Sequence, residues 1–133
     1  MITRILQGLA WLVVAGLVVE FYLAGAALFG ATTFQPHRAL GVGLTAAILL
    51  LLLVALIARP GRRVVGLAAL LLVLGIVQAV LPSLRTAVPW VAALHPINAV
   101  ALAMVTVRIA RAEDRGAAAS PSTETLIPAR SGT

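Results

Sequence analysis

The sequence has 133 residues, 62% of them hydrophobic and 11% charged, with a mean hydropathy of +1.10. That composition excludes a soluble globular domain and describes an integral membrane protein with room for one membrane domain and a short tail. The net charge of +6 comes from arginine alone. Because these arginines flank apolar runs, they govern topology and do not make a nucleic-acid surface. Cysteine is absent, which excludes disulfides, thiolate metal sites and covalently attached haem. Exclusive use of arginine as the basic residue points to a GC-rich genome of actinobacterial type.

A spanning helix takes about 20 mostly apolar residues, and four such runs occur in chain order. The first covers about residues 5–29. Only Arg4 precedes it, it contains Glu20, and no small-residue cleavage site follows, so it reads as a retained span and not a signal peptide. Glu20 falls near mid-membrane, where a carboxyl group is costly unless protonated, paired or facing a cavity, and Tyr22 lies close to it in sequence. Gly16, Gly25, Ala26 and Gly30 permit close helix contact.

The second run covers about 37–58 and opens on Gln35-Pro36-His37-Arg38. The turn Arg59-Pro60-Gly61-Arg62-Arg63 separates it from the third, at about 64–81, which contains Gln78. The fourth runs to about 111 and has two candidate starts, Pro89 and Pro96, because proline is accepted in a first helical turn and disrupts later ones. His95 and Asn98 flank the second of these starts. The membrane domain therefore takes residues 1–115. Residues 116–133, rich in Ala, Ser, Thr, Pro and Gly, are expected to be a disordered tail.

With four spans, Arg4, Arg59, Arg62, Arg63, Arg108, Arg111 and Arg115 share one side, and only Arg38 and Arg85 fall on the other. The positive-inside rule makes the richer side cytoplasmic, with both termini there, in a multi-pass protein of a bacterial plasma membrane.

Sliding the chain on itself by 58 residues aligns Arg4 with Arg62, Gly8-Leu9-Ala10 with Gly66-Leu67-Ala68, Glu20 with Gln78, and His37 with His95. These are the only two histidines, so their coincidence weighs more than a match of leucines. The expected fold is an all-α four-helix membrane bundle made of two tandem two-helix repeats related by an axis along the membrane normal. Equivalent residues then share a depth: His37 and His95 at the outer ends of the second and fourth spans, Glu20 and Gln78 at the midplane.

Two histidines facing each other across such an axis supply two axial nitrogens for one haem b iron within an apolar bundle. Each imidazole then needs a second acceptor for its other nitrogen: a backbone carbonyl, Asn98 or Gln35. Arg38 and Arg85 are candidates for the haem propionates, and equally for ordinary interfacial snorkelling. Glu20 suits a proton relay or a quinone site with Tyr22. Alternatively, Glu20 bonds Gln78 across the bundle and each histidine serves only as a polar helix start.

The segments Phe34-Gln35-Pro36-His37-Arg38-Ala39-Leu40-Gly41 and Ala93-Leu94-His95-Pro96-Ile97-Asn98-Ala99, with Glu20-Phe21-Tyr22-Leu23-Ala24-Gly25 upstream, resemble a family of small bacterial four-helix membrane proteins of unknown function. The resemblance covers about residues 5–110 and implies that both histidine motifs are family features. More distantly, the duplicated bundle resembles b-type membrane cytochromes and haem A synthase, a likeness of architecture alone.

The expected function is therefore a cytochrome-like haem b protein and not a stand-alone enzyme. A single haem near the outer leaflet cannot bridge a core about 30 Å thick. It would exchange electrons with a quinol or an extracytoplasmic redox partner, or serve haem sensing or handling, in a monomer or homodimer within the lipid bilayer. The rival expectation is a cofactor-free structural or assembly subunit of a membrane complex.

Overall fold

The computed structural model describes residues 2–112. The expected disordered tail, Arg115 and the boundary at 115/116 lie outside the described residues. Five α-helices make up the fold: α1 (Ile2–Leu28), α2 (Gln35–Ala58), α3 (Arg62–Val80), α4 (Pro89–Ala92) and α5 (His95–Ala110). Four stretches, Thr3–Leu28, Gln35–Ala58, Arg62–Arg85 and Pro89–Ala110, are long and apolar enough to cross a membrane. The chain is a multi-pass membrane protein built wholly of helix among its described residues.

The helix ends follow from local chemistry. Gly30, at φ 78°, closes α1, with Ala31 N–H donating to Ala26 O at 2.8 Å and Gly30 N–H to Ala27 O at 3.2 Å. This is the Schellman arrangement, which glycine adopts without a steric penalty. Pro36 sits in the first turn of α2, where its missing N–H costs nothing. At the other end Arg59 adopts a left-handed conformation (φ 49°, ψ 49°) and caps α2 by donating its N–H to Ala55 O. Pro60 prevents further helix, and Gly61, at φ 117°, turns the chain into α3.

Both candidate starts of the fourth span are used. Past α3 the chain tightens into a 3-10 turn (Leu81–Arg85), Pro89 opens the single-turn α4, and Pro96 lies in the first turn of α5. The two prolines thus divide one apolar run into a short first piece and a long second one.

The long helices pack in a ring, α1 on α2, α2 on α3, α3 on α5 and α5 on α1, which leaves α2 and α5 on one diagonal. Their buried residues fall at alternating spacings of four and three: Leu6, Ala10, Val13, Leu17 and Glu20 on α1; Leu44, Ile48, Leu51 and Ala55 on α2; Val64, Ala68, Leu71 and Gly75 on α3; Leu102, Val105 or Thr106, and Ile109 on α5. This is the seam of knobs-into-holes bundles. Leu12, Val18, Leu50, Leu53, Ile57 and Val73 point outward, at least 47% exposed, and form the face that lipid covers. Thr45 and Thr106 donate to Gly41 O and Leu102 O in their own helices, so neither hydroxyl is stranded in the apolar interior.

Gly16 sets the closest approach of α1 and α2: a β-carbon there would stand 2.5 Å from Leu44 Cδ2. Gly16→Val is therefore expected to lower stability by about 1–3 kcal/mol through overpacking. Unfolding in denaturing detergent, followed by helicity, measures it. Adding Leu44→Ala should restore part of the loss; no restoration would mean that Gly16 acts elsewhere.

Candidate functional site

The seams become polar at one end of the bundle. One step beyond Leu17 on α1 is Glu20, and one step beyond Gly75 on α3 is Gln78. Two steps before Leu44 on α2, past Gly41, is His37, and on α5 Asn98 and His95 precede Leu102. Each of the four long helices thus carries its core stripe into the same cluster.

Glu20 is 8% exposed, and its Oε2 pairs with His37 Nδ1 on the neighbouring helix. Gly41 makes room for the carboxyl group: a β-carbon at that position would lie 3.3 Å from Glu20 Oε1. Oε1 itself is buried without a hydrogen-bond partner among the described residues. Phe34 packs edge-on against the His37 ring at 6.2 Å between centroids.

The other histidine is held by neutral groups alone. His95 Nδ1 lies 3.1 Å from the main-chain oxygen of Gln78, and its Nε2 lies 3.1 Å from the Gln78 side-chain nitrogen. Both contacts are hydrogen bonds in one tautomer only: Nδ1 carries the proton and donates to the carbonyl, and Nε2 accepts from the amide. Asn98 Nδ2 then donates to Gln78 Oε1 at 2.7 Å and to Leu74 O at 2.9 Å. Gln78 is fixed from both sides.

The histidines meet across the α2–α5 diagonal. Their ring centroids are 6.2 Å apart and their planes cross at 74°. The cluster is thus a chain of side chains, Glu20, His37, His95, Gln78 and Asn98, with one carboxylic acid at one end and an amide network at the other.

His37, His95, Glu20, Gln78 and Asn98 are brought together. Glu20 and Gln78, expected as a layer beneath the histidines or as partners of each other, each contact a histidine instead. Long side chains from antiparallel neighbours bridge the helical turn that separates them. Gln35, Arg38 and Arg85 are exposed, and Tyr22, 72% exposed, faces away from Glu20. Sequence reasoning missed Glu20 as the acceptor for His37. The signal is that Glu20 and His37 both continue the four-three spacing of their own seams, and it appears only once the buried face of each helix is known. No three His, Asp or Glu side chains among the described residues form a metal cage, so any centre here rests on the histidine pair.

Residues 20–87 match the model of a family of unknown function (DUF6220), and the chain belongs to that family. The matched segment runs from Glu20 through His37 and Gln78 and stops short of His95. No curated protein and no solved structure matches the chain.

Proposed function

We propose that this member of the DUF6220 family is a membrane haem b protein in which His37 and His95 would hold the iron. The observation that carries the reading is the histidine pair itself. Two iron–nitrogen bonds of about 2 Å, lengthened by the ring radii, place two imidazole centroids about 6 Å apart. The centroids of His37 and His95 are 6.2 Å apart. In addition, each Nδ1 faces an oxygen, that of the Glu20 carboxylate or that of the Gln78 carbonyl. Ligating histidines use such acceptors to fix the ring and leave Nε2 for the metal.

The donor set fits, and two features of the surroundings limit how the group is received. Gln78 must withdraw its side-chain amide from His95 Nε2, which it can do while its main-chain carbonyl still holds Nδ1. Leu17, Leu44 and Leu102, all at most 8% exposed, close the layer beneath. The residues that would hold the group are thus accessible from the end of the bundle at which the His37 side chain is 22% exposed. When bound, haem supplies a one-electron acceptor. The protein's own contribution is to orient the imidazoles and to offer Glu20 Oε1 as a buried acceptor for a proton released by a quinol or another hydrogen donor.

The tandem repeat belongs to the same reading and is supported by the register of the core. Leu6, Ala10, Val13, Leu17 and Glu20 are followed, 58 residues on, by Val64, Ala68, Leu71, Gly75 and Gln78. Leu44, Ile48 and Leu51 are followed by Leu102, Thr106 and Ile109, and all but Gln78 in these two sets are buried. On this reading the histidines lie at the outer end of a bundle whose termini are cytoplasmic, which the arginine bias supports. Exchange of electrons with a quinol or an extracytoplasmic partner follows from that placement.

One observation favours a second reading, a cofactor-free assembly subunit: Gln78 already satisfies both nitrogens of His95, through its main-chain oxygen and its side-chain amide, and Asn98 holds that side chain in place. Haem content separates the two. Protein purified in mild detergent from haem-replete cells should carry about one haem per chain, with a Soret band and sharp α and β bands on reduction. Colourless protein that takes up no added haem would favour the assembly subunit.

A further inference from the structure

The end of the bundle opposite the histidines carries a second site that the haem reading does not use. An open cleft of about 530 Å³ lies between the end of α2 and the start of α3, lined by Leu56, Arg59, Gly61, Arg62, Val65 and Gly66. We propose that this cleft binds an anionic phospholipid, its phosphate held by Arg59 and Arg62 and an acyl chain lying along Leu56 and Val65.

Four observations support this assignment. The lining changes from two guanidinium groups at the helix ends to aliphatic side chains farther in, the polarity profile of a phospholipid at an interface. Among the described residues the sole acidic side chain is Glu20, which is paired with His37 at the other end. Among the described residues, then, no carboxylate faces Arg59 and Arg62, and Arg63 adds a third positive charge to the same turn. Guanidinium matches phosphate oxygens with a planar fork of donors. The left-handed turn at Arg59 and the positive φ of Gly61 bend the chain between α2 and α3, so that both Arg59 and Arg62 line the cleft.

The backbone adds to this. α3, of 19 residues, starts without a side-chain cap, so its first N–H groups and the positive end of its dipole favour an anion. Gly66 lines the cleft beside open space, since a β-carbon there would meet nothing within 4 Å. Basic pockets between membrane helices at an interface are where anionic headgroups bind.

The test uses the full chain in detergent and counts retained lipids by native mass spectrometry, with phosphatidylglycerol and phosphatidylcholine offered at equal concentration. Phosphatidylglycerol should be retained in preference. The double variant Arg59→Gln/Arg62→Gln should lose that preference by about tenfold or more, as expected for two arginines at an anionic headgroup. Gly66→Leu, which fills the cleft without changing charge, should lose retention likewise. Arg4→Gln, which removes a charge at the same end outside the cleft, should retain the lipid as the unaltered chain does.

Equal retention of the two lipids, an Arg4→Gln loss as large as that of the double variant, or full retention by Gly66→Leu would overturn the proposal. Displacement of the lipid by millimolar inorganic phosphate would assign the site to a free anion and would overturn it too.

Discussion

Glu20→Ala should be among the most destabilising single changes in the membrane domain, at about 2–4 kcal/mol. It removes a side chain that continues the α1 seam, and it leaves His37 Nδ1 buried opposite nothing. A stranded polar atom in a water-poor interior costs more than the lost bond would suggest. Glu20→Gln is the informative contrast. It keeps the shape and an acceptor oxygen, and it introduces the kind of side chain that Gln78 presents to His95. Its cost should stay below about 1.5 kcal/mol.

Unfolding of the detergent-solubilised protein, followed by far-ultraviolet circular dichroism, distinguishes the two variants. A double-mutant cycle with His37→Ala should return a coupling above about 1 kcal/mol. Equal effects of Ala and Gln, with no coupling to His37, would remove Glu20 from the cluster's energetics.

The second large effect concerns the ligands themselves. His37→Ala and His95→Ala should each lower haem affinity by about a hundredfold or more, since loss of a mere second-shell partner already costs about 10–100-fold at metal sites. Titration of the purified variants with haem, read at the Soret band, measures this. Gln78→Leu gives the opposite expectation. It removes the amide that competes for His95 Nε2 and keeps the main-chain carbonyl that holds Nδ1. Binding should therefore be unchanged or tighter, although Asn98 loses one of its two acceptors. Loss of binding in Gln78→Leu equal to that in His95→Ala would make the amide part of the site and not its occupant.

Much of this fold was legible because a membrane simplifies the pattern. Runs without charge, a basic turn carrying proline and glycine, and a proline at each start of the fourth span leave few alternatives. The histidines were legible through their rarity. The pairing within the cluster was not, because it depends on how each helix is rotated about its axis. In a chain apolar all round, hydropathy says little about rotation. Tyr22 shows the point: two residues past Glu20 is about 200° around a helix. Proximity in sequence therefore placed it on the opposite face, 72% exposed. Arg38 is carried away from the seam next to His37 in the same manner.

The depth of Glu20 illustrates a different limit. Counting residues from a helix end locates its Cα, and on that basis Glu20 lies inward of His37. What the count omits is the reach of the two side chains and the space that Gly41 leaves between α1 and α2. The result is one continuous layer from Glu20 to Asn98. The buried Oε1 of Glu20 follows from the same geometry, since His37 meets only Oε2.

Electron paramagnetic resonance of the oxidised, haem-loaded protein tests the bis-histidine claim most directly. Two imidazoles on one iron predict a low-spin signal in the unaltered chain and its conversion to high spin in both His37→Ala and His95→Ala. A signal left unchanged by either substitution, or a high-spin signal in the unaltered chain, would contradict ligation by this histidine pair.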